Sequence, residues 1–482
     1  MRIIGNDPST PRQAQIVASG TLSTGDAVVV NADGTVSVVA GSDTSAGTPV
    51  VFDGQTGALA STFDSNSNKV VVAIQDQDNS SYGTAVVGTV SGTSISFGTP
   101  VVFNSGGSTD FISATFDSNS NKVVIAYRDG GNSSRGTAIV GTVSGTSISF
   151  GSSSVFNSTG STAHIASTFD LNSNKVVIAY NDYFNSQYGT AVVGTVSGTS
   201  ISFGSETIFE SGTVEETSAA FDSSSNKVVI SYQDNSNSSR GTAIVGTVSG
   251  TSISFGSAVV FESASGVQDT STTFDSNSNK IAIAYRDGAN SGYGTAIIGT
   301  VSGTSISFGT KVVFDANDSD FIGATFDSNS NRVVISYRDR GNSDAGSVVV
   351  GVVSGTSISF DPPIVYEQLS SVYNSAVFDS NSNKVVVSYR DVYNSGNGTS
   401  AVINVGSTNL TANNYIGTAA SGAADTQRAK INLKGAVDEN QSGLTAGQSY
   451  YVQVDGTLST TAGDPSVFAG TAVAATKLIV KG

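Results

Sequence analysis

The segment Phe116-Asp117-Ser118-Asn119-Ser120-Asn121-Lys122-Val123-Val124-Ile125-Ala126-Tyr127-Arg128-Asp129 returns in close copy six more times. The copies are led by Phe63, Phe169, Phe221, Phe274, Phe326 and Phe378, at steps of 52 or 53 residues. A short unit repeated at fixed period cannot bury its apolar face alone and must stack on its neighbours. That restricts the middle of the chain to a solenoid, a propeller or an array.

Each repeat holds four strand-like pieces, in the second copy Ile112 to Phe116, Lys122 to Arg128, Gly136 to Val143, and Thr146 to Phe156 with a glycine inside it. Four strands per unit is a propeller blade. The second piece, Val123 to Tyr127, is continuously apolar, as a strand covered on both faces must be. Small residues in the third piece, Gly136-Thr137-Ala138, mark close approach of sheets, and Ser147-Ile148-Ser149-Phe150 alternates like an outer strand with one wet face. The last repeat stops at Ala401-Val402-Ile403-Asn404-Val405 without an outer strand. A matching piece stands at the front, Gly47-Thr48-Pro49-Val50-Val51-Phe52. The expectation is an all-β chain whose residues 46–405 form a seven-bladed β-propeller of four-stranded blades, closed by velcro pairing of its two ends.

Composition supports this reading and excludes others. The chain of 482 residues has 54 Gly, no Cys and no Trp, and few helix signals; Gly, Asn, Asp and Ser suit short strands joined by tight turns. A formal charge of −16 argues against nucleic acid as a partner. No run is apolar for long enough to insert in a membrane as a helix, and Met1 to Thr10 lacks a signal-peptide core, so synthesis in a cytoplasm without a signal peptide is expected.

The stretches outside the repeats resemble one another. Gly25 to Ser37 aligns with Gly447 to Ser459, each a hairpin around Asp-Gly, and Tyr415 to Ala419 with Lys430 to Gly435 matches Phe468 to Ala472 with Lys477 to Gly482. The predicted organisation is an extended arm over 1–20, a duplicated β domain split between 21–45 and 406–482, and the propeller inserted in it. The run Tyr415-Ile416-Gly417-Thr418-Ala419-Ala420, with Gly443 to Val452, Asp455-Gly456-Thr457-Leu458-Ser459-Thr460 and the ending Ala472 to Gly482, resembles modules of tailed-bacteriophage virion structural proteins, the tail-fibre and capsid-decoration proteins of marine phages. The resemblance covers the terminal ~115 residues. It implies a particle-anchoring base, other virion proteins as partners, a homo-oligomer, by analogy a trimer, and a place on the virion surface.

Two connections vary between repeats, those from strand two to three and from strand four to the next strand one. Both lie at one end of an up-and-down blade, so the variety falls on one rim, the natural ligand face. Strand two ends in Asp in every copy, for example Asp129, and Arg128, Arg286, Arg338 and Arg390 precede four of these. Such a rim suits sugar hydroxyls, and arginine suits acidic sugars, although an Asp closing its own loop through backbone N–H groups is the stronger reading. Tyr183, Phe184, Tyr373 and Tyr393 are candidate stacking surfaces for sugar rings. The Asp-x-Asn-x-Asn links, such as Asp64-Ser65-Asn66-Ser67-Asn68, begin like calcium loops, but Lys69 stands where the sharp-turn glycine belongs. Turn formation is favoured over calcium, and no cofactor is expected. Catalytic signals are poor: His164 is the lone histidine, no nucleophile elbow accompanies it, and Glu215 with Glu216 read as a solvated loop. The expected function is non-enzymatic display of a propeller for adhesion to a host receptor or glycan, many weak contacts acting together. A phage-borne glycan-degrading enzyme and a bacterial surface lectin stand as alternatives.

Overall fold

The structure, a computed structural model, describes residues 12–463 and 465–481. It divides into two compact units, Ser45–Val405 and the chain on either side, up to Thr44 and from Gly406. Among the described residues no helix is long and apolar enough to cross a membrane.

The repeat unit is an antiparallel sheet. In the second copy Thr109–Asp117, Lys122–Asp129 and Arg135–Ser144 pair in that order. Val123 to Tyr127 are all buried because the two faces of this strand serve two cores. Val123, Ile125 and Tyr127 pack on Val71 and Ala73 of the repeat before. Val124 and Ala126 pack on Val176 and Ile178 of the repeat after. Each such valine or isoleucine contributes roughly 1.5–3 kcal/mol of burial, which is why the strand carries no polar face.

The outer strand differs from the single piece read in the sequence. It is two pieces: Ser147–Phe150 pairs with the far half of strand three, Gly141 to Ser144, while Ser154–Asp170 begins on the near half. The latter strand then continues as strand one of the next repeat, pairing with Lys175–Asp182. The break falls at Gly151, where a Cβ would lie 1.9 Å from the Thr199 carbonyl oxygen of the next repeat. Only glycine permits that approach. The small residues of strand three also have a local cause: a Cβ on Gly136 would lie 2.3 Å from the Phe156 ring of the outer strand. Ring and glycine occupy one volume.

The last repeat and the first meet through these same contacts. Asn397–Asn404, the last third strand, pairs with Ser45–Ala46 and with the start of Val50–Asp64, setting Ile403 opposite Ala46 and Ser400 opposite Val50. Phe52 covers Gly398 as Phe156 covers Gly136, and a Cβ on Gly47 would meet the Thr93 carbonyl oxygen at 1.8 Å. Val386 and Val402 share one core with Val70 and Val72. After the sixth repeat there is no following Ser-Gly-Thr-Ser turn to approach, and there the glycine is replaced by Asp361, ion-paired to Arg332. The unit is an all-β, propeller-type assembly of repeated antiparallel sheets.

The second unit holds two five-stranded sheets of matching order. One runs Gln13–Val17, Arg428–Asn432, Tyr415–Ala419, Ala27–Val30, Val36–Val38; the other Val437–Asp438, Lys477–Val480, Val467–Ala474, Ser449–Val452, Leu458–Ser459. In both hairpins the Asp-Gly turn is closed alike, with the Thr35 and Thr457 N–H groups donating to Asp33 and Asp455 Oδ1 at 2.9 Å. The arm read over 1–20 is corrected in part. Gln13–Val17 is a paired strand of the first sheet, set against Arg428–Asn432, whereas residues 1–11 lie outside the described residues. The short strand was passed over because Gln13, Gln15 and Val17 are exposed, leaving no apolar run to read.

Candidate functional site

The two ends of the repeat are built differently. At one end Asp117 Oδ1 accepts from the Asn119 and Ser120 N–H groups at 2.9 and 3.0 Å, and Asn121 adopts a left-handed conformation at φ 54°. Asp64, Asp170, Asp222, Asp275, Asp327 and Asp379 bond their turns in the same way. These carboxylates hold backbone. At the other end the Asp closing strand two caps a short turn, as Asp129 does by accepting from the Gly131 N–H at 3.1 Å.

Strand one carries a bulge at this second end. In the second repeat Asp110 lies opposite Arg128 but Ser113 opposite Ala126, so one extra residue is inserted. A bulge re-aims the side chain it carries. The re-aimed residues are Phe111, His164, Glu216, Asp269, Phe321 and Tyr373, all non-glycine residues held at φ between 47° and 57°. Such backbone costs of order 1–3 kcal/mol at each site and persists where the surroundings impose it. With Ala58 of the first repeat, these side chains line one cavity of about 480 Å³. Every repeat contributes one bulge residue, and the seven positions hold six residue types.

Around the cavity the chemistry falls into sectors. The Phe111 and His164 rings stand 5.2 Å apart, and so do those of Phe321 and Tyr373. Arg128 lies over Phe111 at 4.7 Å while bonded to Asp110 at 2.8 Å. Arg338 repeats this over Phe321 at 4.9 Å, its Nε 2.6 Å from Asp320. Between the two aromatic pairs sit Glu216 and Asp269. The Glu216 N–H donates to His164 Nδ1 at 3.2 Å, so the ring proton resides on Nε2, and the Asp269 N–H donates to Glu216 Oε2 at 3.2 Å. Burial, reinforced by the charges of Glu216 and Asp320, pushes the Asp269 carboxyl up to about 7. Among the described residues neither Glu216 nor Asp269 is ion-paired to a lysine or arginine, in contrast to Asp110, Asp318 and Asp320.

Of the rim candidates read from the sequence, Arg128 and Tyr373 line this cavity. Arg286 is bonded to Asp318 at 2.7 Å and Arg338 to Asp320, so both guanidiniums are held by strand-one carboxylates. Arg390 faces Val372 in the register, and its buried Nε has no hydrogen-bond partner among the described residues. Tyr183, Phe184 and Tyr393 stand on the rim loops, Phe184 being 73% and Tyr393 67% exposed. Glu216 lines the cavity and its neighbour Glu215 does not. Phe111, Asp269 and Phe321 were missed. The position five residues before each leading Phe is variable, but the position before it varies as much, from Gly57 and Asp110 to Asp320 and Val372, so variability alone does not single it out.

No family model matches the chain, and no curated protein does. Solved structures of similar fold exist. The BP39L lectin from Burkholderia pseudomallei superposes with a TM-score of 0.52 at 11% identity, covering 74% of this chain and 99% of the lectin. A fungal alcohol oxidase of the AA5 family, solved with copper, gives 0.50 at 10% identity, covering 85% and 86%. These likenesses concern the fold, a β-propeller. One fold hosting a lectin and an oxidase leaves the activity to be argued from the site.

Proposed function

We propose that this chain is a non-enzymatic, carbohydrate-binding surface protein of a tailed-bacteriophage virion, its seven repeats closing as a seven-bladed propeller that binds through its variable mouth. The observation that carries the binding reading is the ring of re-aimed residues. A near-identical frame is repeated, and the bulge position at the variable end is filled by Ala58, Phe111, His164, Glu216, Asp269, Phe321 and Tyr373. A cavity of about 480 Å³ lies within the range of small-ligand sites. Aromatic faces beside carboxylates suit a saccharide, whose ring stacks while its hydroxyls donate. The lectin likeness of the fold agrees with this. The duplicated β unit, by its resemblance to virion modules, is the proposed anchor, with a homotrimer as the expected assembly.

Glycan-array binding of the full chain, with Phe321→Ala and Tyr373→Ala as controls, tests the binding reading; loss of signal in both supports it, and unchanged signal removes the cavity from consideration. Cryo-electron microscopy of the particle tests the virion reading, since absence of the chain from particles would end it. A second reading, glycan hydrolysis, is favoured by one observation: Asp269, raised to about 7 beside Glu216, has the form of an acid paired with a carboxylate. A depolymerisation assay separates the two.

A further inference from the structure

The sectors of the cavity differ in how their charge is balanced. Asp110 and Asp320 are each matched by an arginine that also lies over a ring. Glu216 and Asp269 share a sector with no lysine or arginine bonded to them among the described residues, and aromatic pairs flank them on both sides. Ring faces are electron-rich and attract cations within about 6 Å, most strongly where water is displaced. A neutral sugar would leave Glu216 with only His164 Nδ1, 4.0 Å away, beside it and Asp269 holding its proton, so the charge this pair can carry would go unused. A positive group placed there would meet carboxylates in front and rings at the sides.

We propose that the cavity selects a saccharide bearing a positively charged amino group, seated between Glu216 and Asp269 with Phe111, His164, Phe321 and Tyr373 around it. This rests on the carbohydrate-binding reading and narrows it to one class of glycan. Protonation supplies a second signature. Asp269 faces Glu216 from the preceding repeat, Asp320 and Arg338 from the following one, and Arg286 on its own second strand, and its carboxyl is raised to about 7. Entry of a cation favours the ionised carboxyl, so the proton leaves on binding and affinity falls as the pH drops below about 7.

The test is titration of the full chain with methyl glucosaminide, with its N-acetyl counterpart, and with tetramethylammonium, whose charge does not change with pH. The expected result is at least tenfold tighter binding of the glucosaminide, competition by tetramethylammonium that weakens below pH 7, and loss of the preference in Glu216→Gln and Asp269→Asn. Asparagine tolerates the left-handed backbone at position 269, so an unchanged melting temperature confirms that Asp269→Asn is folded. Equal binding of both saccharides, or a preference that survives both variants, overturns the proposal and leaves the glycan reading standing. Binding of tetramethylammonium alone keeps the cation site and overturns the glycan reading; binding of none of the three overturns both.

Discussion

The two ends of the first strands show opposite uses of repetition. At one end Phe63, Phe116, Phe169, Phe221, Phe274, Phe326 and Phe378 line a cavity of about 560 Å³ with the same side chain from every repeat. Five residues earlier on the same strands the bulge positions line the other cavity with alanine, phenylalanine, histidine, glutamate, aspartate, phenylalanine and tyrosine. The backbone differs too, since the first set follows regular pairing and the second is held left-handed at six positions. Uniformity maintains the frame. Variety placed on strained backbone is the mark of a site, because nothing in the packing of the frame calls for five different side chains at those six positions.

Substitutions in the uniform part should act on stability, and those in the varied part on binding. The largest effect is expected for Tyr232→Ala, which removes a fully buried ring packed 5.3 Å from Phe209, at a cost of about 3–5 kcal/mol in denaturant unfolding. Asp117→Ala, which strands two turn N–H groups and the Ser120 hydroxyl, should cost about 1–2 kcal/mol and leave saccharide binding unchanged. Phe321→Ala should do the reverse, lowering affinity about tenfold, or ~1.4 kcal/mol, while moving the melting temperature little. A separate effect belongs to pH. The folded chain keeps a proton on Asp269 that the unfolded chain releases near its ordinary value of 3.8. Stability from this group is therefore highest below that value and declines as pH rises towards about 7, and Asp269→Asn should flatten that part of the profile. A stability defect in Phe321→Ala as large as that of Tyr232→Ala would erase the contrast between the two ends.

The frame was largely legible in the sequence because its causes are local and repeated. The apolar run Val123 to Tyr127 and the Asp-led turns each carry a pattern that periodicity exposes. The split of the outer strand was not legible, since the break at Gly151 depends on the Thr199 carbonyl of the next repeat, 48 positions away. Nor was the site. Of the residues that the variable connections single out, Arg128 and Tyr373 line the cavity. The loop aromatics Tyr183, Phe184 and Tyr393 are more conspicuous in the sequence than the bulge residues, because a strand residue normally signals core. A one-residue bulge leaves no trace in hydrophobic alternation when the residue it re-aims can be phenylalanine in one repeat and glutamate in the next. Adjacent in sequence, Glu215 and Glu216 are separated by strand geometry, and only Glu216 lines the cavity.

The measurement that bears most directly on the binding site is a structure of the full chain with a bound saccharide carrying an amino group. Ligand density inside the ring of Phe111, His164, Glu216, Asp269, Phe321 and Tyr373, with the amino nitrogen within hydrogen-bond distance of Glu216 or Asp269, is the expected result. Density at the phenylalanine-lined mouth, or on the outer loops around Phe184 and Tyr393 with the ring empty, would contradict it.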